Sequence, residues 1–243
     1  MFSTDLWAGD DVLRERFELR LVRAVGLAFE GVARMENVHA VPRESVMEAE
    51  LRPIGGWPDG GGFREFKVAL NTYSGGVSVD LRRELLSYHF VASEEFWPNF
   101  ESESFWEGVA SYLKRIRGYI EAFTPHAHRV FQASIEALKD IHGPSGGLLV
   151  PEQVRVLAVE DVSPWVTLHV RHLGSRLASF IAPPMEVFIG DLEEVSSLED
   201  RELVSRIRRS VRHYLDEHYY EYDPMLNILA SHLWWPGASS GRR

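Results

Sequence analysis

Leu13, Phe17, Leu21, Val25, Ala28, Val32 and Met35 recur at steps of three and four. That spacing places them on one face of a first long helix and leaves Arg16, Arg20, Arg23 and Glu30 on its solvated side. The period then changes. Val46 to Leu51 reads as a short strand, and Gly55 to Gly62 as an irregular loop around Trp57 and Pro58. Phe66, Val68 and Leu70 share one face of a strand over residues 63–70. A turn over Asn71 to Gly76 joins it to Val77, Val79 and Leu81, which gives a hairpin. The stretch Leu81 to Val91 fits strand and helix equally.

A helical period returns at Phe105, Val109, Leu113, Ile116 and Ile120, with Ser102 or Ser104 as its cap. Thr124 followed by Pro125 reads as a fresh N-cap and first turn, since proline's missing N–H does no harm there. The helix it opens carries Val130, Phe131, Ile135, Leu138 and Ile141 inward and stops at Gly143. The two are expected to fold as an antiparallel αα-hairpin. After the loop Gly143 to Gly147, short alternating runs at 154–159, 165–172, 177–181 and 185–189 predict an antiparallel meander. Ser197 and Asp200 resemble a capping box that opens a last long helix, with Leu203, Ile207, Val211 and His218 inward, ending before Pro224. Met225 to Trp235 reads as a short docking helix and Gly237 to Arg243 as a disordered tail.

The expected fold is therefore α+β: a long N-terminal helix, a small antiparallel hairpin or sheet and an αα-hairpin, then a β-meander closed by a long C-terminal helix. The loop at 143–147 divides it into residues 1–143 and 148–235, with 236–243 as the tail.

Composition narrows the function classes. The chain has 243 residues, 45% of them hydrophobic and 26% charged, which is enough to bury a core without metal or disulfide. It contains no cysteine, so thiol catalysis, thiolate metal sites and disulfides are excluded. A net charge of -10 argues against a surface that attracts nucleic acid or anionic lipid as a whole. No signal-peptide pattern opens the chain and every apolar run is broken by charges, so it reads as a cytoplasmic protein that engages no membrane. P-loop, dinucleotide, zinc-protease, nucleophile-elbow and EF-hand patterns are absent, and no cofactor is expected.

Three features carry candidate chemistry. His213, Glu217, His218 and Glu221 stand at helical spacings of three and four and form a candidate metal set, although one helix cannot complete such a site. Arg201, Arg208 and Arg212 fall near one stripe of the same helix and form a candidate anion-binding set. That helix also runs against its dipole, with arginines early and Asp216, Glu217 and Glu221 late, which calls for compensation from outside it. Phe96, Trp97, Phe100, Phe105 and Trp106, with Trp234 and Trp235, form a candidate partner-binding set, because large aromatics anchor interfaces. The leading functional expectation is a non-catalytic protein-binding or assembly module, engaging a protein partner or a second copy. The alternative is a metal-dependent hydrolase or nuclease-like enzyme on the histidine-carboxylate helix. Nucleic-acid binding through the arginine stripe is the third.

Overall fold

The computed structural model describes residues 11–41, 46–54, 64–72, 74–92, 100–143, 147–159, 162–173 and 185–222. In chain order these form α1 (Asp11–Phe29), β1 (Ala33–Val41), β2 (Val46–Pro53), β3 (Glu65–Asn71), β4 (Val77–Arg82), β5 (Leu86–Val91), α2 (Glu103–Leu138), β6 (Leu148–Val159), β7 (Trp165–Leu173), β8 (Met185–Asp191), α3 (Leu192–Ser197) and α4 (Asp200–Tyr222). The fold is α+β. All eight strands join one sheet in the order β1-β2-β3-β4-β5-β6-β7-β8. Neighbours are antiparallel except β5 and β6, which are parallel and joined through α2, as a crossover connection requires.

The first helix stops earlier than its apolar spacing suggests. Gly31 adopts φ +78° just beyond Phe29, a left-handed turn that ends a helix and that glycine alone enters cheaply. Val32 remains buried, and the chain continues as β1, a strand absent from the expected architecture. Strands β3 and β4 pair as expected, with Val68 opposite Val79 and Leu70 opposite Val77.

The expected αα-hairpin is instead one helix of 36 residues with Pro125 inside it. Thr124 does not cap a new helix. Its hydroxyl donates to the Ile120 carbonyl at 2.6 Å, so the Tyr88 hydroxyl, 2.8 Å away, donates to it in turn. Proline in a helix interior costs about 3 kcal/mol. Burial on both sides of it, at Ile120, Phe123 and Val130, outweighs that cost. The expected separate hairpin and meander are likewise corrected to halves of one sheet, because β5 and β6 pair from Leu86–Val154 to Val91–Val159. Sheet and core both run across the boundary expected at 143–148.

The capping box is shifted by two residues: α3 ends at Ser197, and the Glu199 N–H reaches Glu202 at the start of α4. The helices lie on one face of the sheet. There Met47, Val68, Val79, Phe90, Val156, Leu168 and Val187 meet Leu21, Leu113, Ile120, Ile207 and Val211 in a single core.

None of the four helices carries a basic residue in its last turn. At the ends of α1, α2 and α3, arginines from a neighbouring helix take that place. Arg117 donates to the Ala28 and Glu30 carbonyls at the end of α1, and Arg129 to those of Ser196 and Leu198 at the end of α3. Arg208 approaches the Ala137 carbonyl at the end of α2 at 3.5 Å.

Candidate functional site

Alternation sends every second strand residue to the face that no described helix covers. Across the first five strands this open face is a lattice of charges. Lys67 on β3 lies 2.9 Å from Glu48 on β2 and 3.4 Å from Glu65 beside it, and Glu65 reaches Arg82 on β4 at 3.8 Å. Asp80 on β4 and His89 on β5 are direct cross-strand partners joined at 2.7 Å. Further along, Arg155 pairs with Glu186, and Glu152, the extra residue of a bulge in β6, pairs with Arg171 and His169.

Three titratable groups here are shifted. The bond to Glu48 raises Lys67 above its ordinary value. The bond to Asp80 raises His89. Burial, aided by Arg155, lowers His169. Such perturbation marks candidate functional surface, although structural ion pairs produce it too.

The β1–β2 corner carries a further cluster. His39, opposite Glu48 in register, and Glu50 bring one ligand atom each to within 4.8 Å of one another.

Towards the β6–β7 turn the open face becomes apolar. Val91 neighbours Val159, Leu157 pairs with Trp165, and Phe188 stands opposite Thr167 in the adjoining row. Val162 follows in the turn, its N–H directed to the Val159 carbonyl. Phe188 is 55% exposed and Val162 59%.

The residues singled out from sequence lie elsewhere. Phe105 and Trp106 are buried; Trp106 and the part-buried Phe100 pack edge-on against Phe17, joining α1 to α2, and Phe105 packs edge-on against both of them. The Phe100 carbonyl accepts from Trp106 Nε1 and from Arg20. These rings serve the core rather than an exposed docking strip. Phe96, Trp97, Trp234 and Trp235 lie outside the described residues, as do the expected docking helix and tail.

His213 and Glu217 approach to 3.3 Å on the exposed side of α4, whereas the His218 ring lies tilted against Tyr214, 4.4 Å between centroids, where the helix departs from helical geometry. Glu221 belongs to the last turn of α4, and its side chain is outside the described set. Arg208 and Arg212, with Arg209 and His213, line a depression of about 370 Å³, and Arg201 lies one turn and more before it. A cleft of about 580 Å³ opens beside Pro125, between Arg83, Glu84 and Leu85 on one side and His128 and Phe131 on the other. Among the described residues no helix is long and apolar enough to cross a membrane.

No protein-family model, curated protein or solved structure matches the chain.

Proposed function

We propose that the chain is a protein-binding assembly module that associates with a second copy of itself through the open face of its sheet. The observation that carries this reading is the apolar end of that face. Val91, Leu157, Val159, Trp165 and Phe188 occupy neighbouring register positions, the exposed Val162 follows Val159 beyond the end of β6, and no described helix covers them. An apolar patch rimmed by polar residues is the usual mark of an interaction surface.

Charge at the apolar end permits a second copy as the occupant. With a net charge of -10, two chains repel wherever an acidic surface meets its like. Beside the apolar end of the open face, Arg155 holds Glu186 and His89 holds Asp80, so the rim of the patch is locally paired and a copy can approach it.

Sedimentation velocity over a concentration series tests the reading. The intact chain is expected to form dimers at high concentration. Phe188→Glu should weaken them by on the order of 2–4 kcal/mol while the circular dichroism spectrum stays unchanged. A chain that remains monomeric throughout, or dimers that survive Phe188→Glu, would overturn it.

A further inference from the structure

We propose that the β1–β2 corner of the open face binds one divalent transition-metal ion, of the zinc, cobalt or nickel class, on His39, Glu48 and Glu50. This inference is independent of self-association. It rests first on register. His39 and Glu48 are directly opposed across the antiparallel pair, and Glu50 lies two residues along the same strand on the same face. All three donors are thus fixed by a hydrogen-bonded ladder rather than by a loop.

The distances suit one ion. His39 Nε2 and Glu48 Oε1 are 3.8 Å apart, and the three ligand atoms fall within 4.8 Å. An ion bonded to nitrogen and oxygen at about 2.0–2.2 Å holds two donors roughly 3.4 Å apart. Small side-chain adjustments therefore close the site without moving the backbone. An imidazole with two carboxylates selects a zinc-like ion over magnesium or calcium, which favour oxygen donors throughout.

The surroundings supply a second argument. Glu50 is half-buried and has no ion-pair partner among the described residues. Glu48 is sheltered too, its side chain only 17% exposed. Three carboxylates, Glu48, Glu50 and Glu65, gather around one ammonium, that of Lys67. Glu65 also reaches Arg82, so three carboxylates face two cations and the corner keeps a net negative charge. Asn37 lies 3.4 Å from His39 Nδ1. With its amide oxygen turned to the ring it accepts the Nδ1 proton and leaves the Nε2 lone pair for the ion, the outer-sphere arrangement typical of ligating histidines. Three protein donors leave at least one coordination position for water.

Lys67 is the built-in competitor. Its ammonium shares Glu48 at 2.9 Å and must release that oxygen, keeping Glu65, when the ion enters. Removing the lysine charge should therefore tighten binding, an effect opposite in sign to removing a ligand.

Isothermal titration calorimetry of the full chain with zinc chloride, with metal counted after dialysis, is the test. One ion per chain is expected. His39→Ala and Glu50→Gln should each weaken binding by about tenfold or more, and Lys67→Met should strengthen it several-fold. Both ligand changes are on the solvent side of an outer pair of strands, and unchanged circular dichroism verifies the fold of each. His213→Ala removes the exposed imidazole of the 3.3 Å pair on α4 and should change nothing. Absence of stoichiometric zinc in the unaltered chain, full affinity in both ligand variants, or loss of the ion in His213→Ala would each overturn the proposal.

Discussion

The two faces of the sheet are built from alternate residues of the same strands, yet they obey different rules. On the covered face the side chains are apolar and almost wholly enclosed: Val79, Phe90, Val156 and Val187 are at most 1% exposed. On the open face their immediate neighbours Asp80, His89, Arg155 and Phe188 are charged or accessible, with Asp80 bound to His89 and Arg155 to Glu186 across strands. The core fixes the register, since a slip of one residue would exchange the faces wholesale. The open face inherits that register without contributing much to it. It is therefore free to carry chemistry at one corner and an apolar patch at the other.

Adjacent substitutions test this division most severely. Val187→Glu should prevent folding, because an unpaired carboxylate buried in the core costs on the order of the whole stability of a domain. Phe188→Glu, one residue on, should leave the stability of the single chain within about 0.5 kcal/mol. On β5, Phe90→Ala should cost about 3–5 kcal/mol and His89→Ala about 0.5 kcal/mol or less, both read from denaturant midpoints. Equal losses within either pair would mean that the open face is part of the core. A smaller effect belongs to the arginine contacts: Arg129→Met should cost about 1–2 kcal/mol by uncovering the last carbonyls of α3, with a midpoint unchanged from the parent as the contrary result.

The smallest effects distinguish two histidines of the open face by sign. His89 is raised by Asp80, so its contribution is present below its ordinary value near 6.5 and is lost as pH rises through the raised one. His169 is lowered by burial, so its contribution is present above that value and is lost as pH falls. Across about pH 5 to 8, Asp80→Asn should remove stability from the acidic end, by at most about 0.5 kcal/mol for so exposed a pair. His169→Asn should flatten the profile in the opposite direction. Thermal melts at a series of pH values read both, and slopes of the same sign would contradict the assignment.

Much of this division was legible in the sequence. Alternation at Phe66–Leu70 and Val77–Leu81 gives a correct hairpin, and the spacing of Leu203, Ile207 and Val211 gives the inner face of α4. Failures occurred where a local rule was overridden by distant contacts or where two rules overlapped. Thr124-Pro125 is a good helix start in isolation, and it is burial on both sides, with the bond from Tyr88, 36 residues away, that makes it an interior turn. Val32 and Met35 prolong the helical spacing beyond Gly31, whose left-handed turn was the stop signal to heed. Losing β1 in that way hid the pairing of His39 with Glu48, and the ambiguity of residues 81–91 hid that of Asp80 with His89. The metal-competent residues thus had to be found by register, whereas the candidate set on α4 came from spacing along one helix. The reversed charge order of α4 was a sound clue: Arg208 approaches the end of α2.

The single parallel seam has a consequence for the order of folding. Every antiparallel neighbour within β1–β5 and within β6–β8 is the next strand in the chain, so each meander can zip by local hairpin closure in microseconds or little more. Leu86 and Val154 meet only after the whole of α2 has been laid down between them. Closing that loop carries the largest entropic cost in the sheet. The seam between β5 and β6 is thus the natural last event on the folding pathway, and until it closes each meander presents a raw strand edge to whatever chain is nearby.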